Sequence, residues 1–107
     1  MAYLGFKVKP RTNKGINKTV HEDGSVTSKF FMKTVLDLRI KLEYGGKRTD
    51  VEFIVHRYRG SVEFTQRWPT EQRFTSHVQF RQEIARYVGD ANAGMITKRM
   101  LAHFSHN

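Results

Sequence analysis

The chain has 107 residues, 38% of them hydrophobic, with 8 Phe, 4 Tyr and 1 Trp and a mean hydropathy of −0.59, which excludes a disordered polymer and fits one domain, 1–107, with a modest core. No apolar run approaches the ~20 residues that span a bilayer, no apolar leader opens the chain, and there is no cysteine for a disulfide, a thiolate zinc site or a thiol nucleophile. The expectation is a cytoplasmic protein without a membrane partner, whose net charge of +9, from 19 Lys and Arg against 10 Asp and Glu, favours polyanions.

Residues 1–20 carry Lys7, Lys9, Arg11, Lys14 and Lys18 and no carboxylate, so the charge is most lopsided here. Ala2, Leu4, Phe6 and Val8 alternate with Tyr3, Gly5, Lys7 and Lys9, which predicts a short strand with Ala2, Leu4, Phe6 and Val8 docked. Pro10 ends or edges it, and residues 11–17 read as an exposed basic loop, so the segment of about 1–20 is expected to be a strand and loop arm. Its cations suit phosphate contacts, or serve only a solvated connection.

His21-Glu22-Asp23-Gly24 between Lys18–Val20 and Ser25–Lys33 predicts a hairpin, because Asp-Gly accepts the positive φ angles of a tight turn. Phe30 and Phe31 then point to opposite faces, so one of them meets something other than a one-sided core, unless the strand bends or bulges. Lys33-Thr34 holds no turn former, and one long bent strand is compatible with the pattern. A helix over 28–44 is the rival reading, but it scatters Leu36, Leu38, Ile40 and Leu42 around its axis.

From Val35 to Trp68 the pattern is a three-stranded antiparallel meander. Leu36, Leu38, Ile40, Leu42 and Tyr44 alternate with Asp37, Arg39, Lys41 and Glu43, and Gly45-Gly46 and Arg59-Gly60 mark the turns. Val51, Phe53, Val55, Val62, Phe64 and Trp68 are the expected core. Arg57, Tyr58, Arg59, Arg67 and Trp68 interleave cations with rings near strand ends, the composition that grips single-stranded nucleic acid by stacking and backbone contact. Strands also favour such rings for packing alone.

Residues 69–75 break the sheet pattern, and Ser76 with Gln79 forms a capping box for a helix of about 77–89, with Phe80, Ile84, Tyr87 and Val88 on one face and Gly89 as its stop. A second helix of about 91–104, capped by Asp90 or Asn92, presents Ile96, Met100, His103 and Phe104 with Leu101 adjacent. It either covers the sheet or crosses to a twin molecule.

The chain lacks a phosphate loop, GxGxxG, HExxH, a nucleophile elbow or an aspartate-rich metal loop. His103 and His106 without a nearby carboxylate read as solvated helix-end histidines, and His21-Glu22-Asp23 as turn residues. No catalytic residue, metal or cofactor is assigned, and an enzyme is not expected.

The fold class is therefore α+β: an antiparallel sheet of about four to six strands, with its meander at 35–68, covered by one or two C-terminal helices. In outline it is similar to several single-strand-binding modules, including the Whirly and coactivator type, a likeness that transfers no residues. The expected function is nucleic-acid binding, single strands favoured over duplex, through Lys7, Lys9, Arg11, Lys14, Lys18, Arg57, Arg59 and Arg67, with Tyr58 and Trp68 as stacking platforms and Phe31 as a weaker one. The alternative is an interaction module for an acidic protein or enzyme, and a homodimer is compatible with either.

Overall fold

The computed structural model describes residues 2–58 and 60–104. It is a five-stranded antiparallel sheet in the order β1 (Ala2–Val20), β2 (Val26–Tyr44), β3 (Lys47–Tyr58), β4 (Ser61–Trp68) and β5 (Gln72–Phe74), followed by helices α1 (His77–Val88) and α2 (Asp90–Ala102). Each strand pairs with the next in sequence, so the α+β class and the meander are as the periodicity predicts. Gly45 and Gly46, at φ 60° and 80°, make the two-residue turn between β2 and β3, which a β-branched residue would strain.

One face of the sheet is the core. Leu36, Leu38, Ile40, Leu42, Val51, Phe53, Val55 and Phe64 pack against Phe80 and Ile84 of α1 and Ala93, Ile96 and Met100 of α2. Phe80 is central: its ring lies 4.8 Å from that of Phe64 and 5.5 Å, edge-on, from that of Phe53. The capping box forms as expected at one end, with Ser76 Oγ accepting from Gln79 N at 3.3 Å, but the Gln79 amide reaches back to Thr75 N at 3.0 Å. At α2 the N-cap is Gly89 with no side-chain bond, and neither Asp90 nor Asn92 caps it; Asn92 Nδ2 instead donates to Val88 O at 3.0 Å. Helix α2 lies against its own sheet, with Ile96 and Met100 fully buried there.

Two register shifts revise the predicted core. Between Tyr3 and Gly5 the pairing with β2 slips, so Tyr3 joins the core and Leu4 is 52% exposed. Between Glu52 and Phe53 the pairing with β4 slips likewise, so Trp68 turns to the other face and is 57% exposed, while Gln66, in phase with Phe64 and opposite Phe53, is buried. Gln66 is satisfied there: its Nε2 donates to Tyr87 Oη at 3.1 Å and its Oε1 accepts from Gln72 Nε2 at 2.6 Å. Val62 is exposed as well, because its cross-strand partner is the polar Arg57 at the end of the sheet.

The largest departure is at the N-terminus. Residues 11–17 are not a loop; β1 runs unbroken to Val20, pairing with β2 down to Val20↔Val26. Pro10 does not end the strand, because β1 is an edge strand and Pro10 sits within it, opposite Leu36. β3 pairs with β2 only as far as Thr34↔Arg57, so residues 13–33 continue as a two-stranded ribbon. At ~3.4 Å per residue, eight residues per strand carry it ~27 Å beyond the body of the sheet. This arm accounts for the extents of 61 × 29 × 22 Å and the radius of gyration of 17.2 Å, where a compact chain of this size has ~13 Å. At its tip Gly24 has φ 85°, and Asp23 Oδ1 accepts from Ser25 N at 2.8 Å and Ser25 Oγ at 2.6 Å, bonds that hold the Asp23 carboxyl below its usual pKa.

Candidate nucleic-acid interface

The helices cover one face of the sheet and leave the other open. Period-2 alternation sends Lys7, Lys9 and Arg11 to the open face in line with Arg39, Asp37 and Val35 of β2 and Glu52, Ile54 and His56 of β3. Val35 and Ile54 are buried nonetheless, although neither belongs to the helix-side core. Ile54 floors a depression of about 310 Å³ that Lys9, Arg11, Asp37, Arg39 and Arg67 surround. Two of the five predicted N-terminal cations, Lys9 and Arg11, are thus brought together with Arg67, from the far side of the sheet, and Lys7 lines a neighbouring depression with Lys9, Asp37 and Arg39.

Part of this charge is neutralised locally. Arg11 Nε lies 2.7 Å from Asp37, Arg39 Nη2 lies 2.8 Å from Glu52, and Arg48 Nε lies 3.3 Å from Asp50. Among the described residues no carboxylate pairs with Lys7, Lys9 or Arg67. Trp68 borders a second, shallower depression with Arg39, Arg48, Asp50 and Glu52.

At the foot of the arm the open face becomes aromatic. Phe31 and Lys33 of β2 and Tyr58 of β3 share it, and Lys33 Nζ lies 5.9 Å from the Phe31 ring and 5.5 Å from the Tyr58 ring. Phe31 rests on Gly15, where the nearest ring atoms stand 2.9 Å from the place a Cβ would occupy. His56, beside them, is pushed below its usual pKa by burial, with Lys33 and Arg11 acting in the same direction against Glu63 and Asp37. Tyr58 and Trp68 do not form one platform: they lie at opposite ends of the β3–β4 pair, about 20 Å apart at ~3.3 Å per residue.

Three predicted contacts fall elsewhere. Arg57 is on the helix side, donating from Nη1 to Phe104 O with its guanidinium 5.8 Å from the Phe104 ring. Lys14 and Lys18 alternate onto the opposite face of the arm from Lys7, Lys9 and Arg11. Arg59 and His106 lie outside the described residues. Sequence reasoning missed Lys29, Lys33 and Arg39, although all three follow the same alternation along β2 as Phe31 and Val35.

No family model, no curated protein and no solved structure matches the chain. Among the described residues no cluster of three or more His, Asp or Glu is arranged to hold a metal, and no helix is long and apolar enough to cross a membrane.

Proposed function

We propose that the protein binds nucleic acid, single strands in preference to duplex, along the open face of the sheet. One observation carries the reading. The face without helices holds Lys7, Lys9 and Arg67 clear of any carboxylate partner among the described residues and runs on to the rings of Phe31 and Tyr58 around Lys33. Cations that follow a backbone beside rings that accept bases are the two elements of single-strand binding, and an open sheet is a surface on which unstacked bases lie flat.

Fluorescence anisotropy with labelled single-stranded DNA, single-stranded RNA and duplex of equal length tests this. Four cations meeting phosphates predict a slope of log K against log salt of roughly −3 for single strands. Trp68, the sole tryptophan, reports whether the strand passes over the Arg39–Arg48 end of the face. Equal affinity for all polymers reduces the activity to phosphate attraction, and no binding at low salt removes it.

A second reading has its own support. On the arm face opposite Phe31, Ile16, Val20, Val26, Phe30 and Met32 are all more than half exposed, a stripe interrupted by Lys14 and Lys18. An apolar strip flecked with lysines complements a protein surface that carries carboxylates. The apolar part of such a complex resists added salt, so its affinity falls less steeply than that of phosphate contacts.

A further inference from the structure

Where β3 ends and the arm leaves the sheet, two depressions share the walls Lys33 and Tyr58. The larger, about 340 Å³, is completed by His56, Ser61 and Glu63; the smaller, about 170 Å³, by Asn17 and Phe31. Side by side, the two depressions make a cleft divided by Lys33 and Tyr58 that combines two rings, one ammonium and a set of polar groups along one side. An ordinary surface groove on a basic protein needs none of this order: the rings stand on adjacent strands of the same face, and Gly15 leaves room for Phe31 to lie flat.

We propose that the larger depression of this cleft holds one unstacked base of a bound strand against the Tyr58 ring, with the Phe31 ring under the neighbouring base, the Lys33 ammonium on the phosphate between them and the Glu63 carboxylate accepting from an exocyclic amino group of the first base. The proposal rests on the nucleic-acid reading and adds selectivity to it. A carboxylate accepts only, so it favours the bases that carry an exocyclic amino group, adenine and cytosine (and guanine), and disfavours thymine and uracil, whose exocyclic groups are carbonyl oxygens flanking a single N3–H. Glu63 is exposed at the rim of the cleft, where a base edge arrives last, and Asn17 and Ser61 add adaptable polar contacts. Lys29, one alternation further along β2, and Arg11, on the body side, stand where the flanking phosphates run.

The test measures affinity for labelled homopolymers of dA, dC and dT of equal length with the wild-type chain and with Glu63→Thr, Phe31→Leu and Tyr58→Leu. The expected result is dA and dC bound roughly tenfold more tightly than dT by the wild type, with Glu63→Thr removing the difference without weakening dT. Phe31→Leu and Tyr58→Leu should weaken all three. Glu63→Thr keeps a strand-forming residue at an exposed position, so it remains informative if a ring variant fails to fold. Homopolymers bound equally by the wild type, or a preference that survives Glu63→Thr, overturn the base pocket while leaving the nucleic-acid reading in place. Failure to bind any homopolymer overturns both. Free CMP, which has no flanking phosphates, should compete only weakly; full displacement of the strand at equal concentration would make this a site for a free nucleotide and overturn the proposal as stated.

Discussion

The ring of Phe31 lies over Gly15 on the neighbouring strand, with ring atoms 2.9 Å from where a Gly15 Cβ would stand. Among the described residues this is the closest approach that any glycine of the chain makes to a ring, and it couples one backbone position to the foot of the arm. Gly15→Ala should leave stability within about 1 kcal/mol, since Gly15 is not at positive φ and alanine costs little at a strand edge. It should still lower single-strand affinity as Phe31→Leu does, because the ring must swing aside. Unchanged affinity in a folded Gly15→Ala protein would remove Phe31 from the interface.

Arg67 and Arg57 sit ten residues apart on adjacent strands and face opposite ways, which makes them a matched pair of tests. Arg67→Gln or Lys9→Gln should each reduce the salt slope of single-strand binding by about 0.7 and leave thermal stability unchanged. Arg57→Gln should leave the slope intact and cost about 1–2 kcal/mol in chemical denaturation, through its bond to Phe104 O and its place over the Phe104 ring. The reverse pattern would mean that the open face is not the binding face.

His56 makes stability depend on pH. Its folded pKa is lowered, chiefly by burial, so as pH falls the unfolded chain takes up this proton first. The contribution is fully present above the unfolded value of about 6.5 and is lost as pH falls through the folded pKa. The groups facing the imidazole oppose one another, Lys33 and Arg11 against Glu63 and Asp37. Urea midpoints should therefore fall between pH ~7.5 and pH ~5.5, and His56→Gln should flatten part of that decline.

Thr12 and Thr34 are cross-strand partners at the base of the arm, so residues 13–33 can be replaced by an Asn-Gly turn without disturbing any pair in the body of the sheet. The shortened chain should fold, because none of the deleted residues belongs to the core cluster. It should lose single-strand affinity through the absence of Phe31 and Lys33. By contrast, Phe80→Ala should cost ~3–5 kcal/mol, enough to unfold much of the protein, since Phe80 meets Phe53, Phe64 and Phe74 at once.

Much of this fold was legible because its signals are local. The alternation from Leu36 to Leu42, the Gly45-Gly46 and Asp23-Gly24 turns and the Ser76 cap each depend on a few neighbouring residues. The two slips at Tyr3/Gly5 and Glu52/Phe53 depend on how separate strands meet: the first exchanges Leu4 for Tyr3, and the second turns Trp68 away from the core face that Phe64 and Gln66 share. The hairpin at the tip of the arm was read, but its continuity with the strand before Pro10 was hidden for a related reason. Pro10 and the run of lysines resemble the end of a strand, whereas an outer edge accepts both, and only the partner strand reveals that the ladder continues. Of the candidate site, Lys9, Arg11 and Arg67 converge on one depression, with Lys7 on the same face beside it, because alternation fixes their side of the sheet, while Arg57, one step out of phase with His56 and Tyr58, points away.

β2 spends its nineteen residues in two different mechanical settings, braced on both sides from Thr34 onward and on one side before it. A ribbon of two strands bends and twists more readily than the sheet it grows from, so the compliance of the whole chain is concentrated on the line where β3 gives out. Phe31, Lys33 and Tyr58 straddle that line. Whatever settles among them grips both sides of a joint, and so sets the direction in which the ~27 Å lever beyond it points.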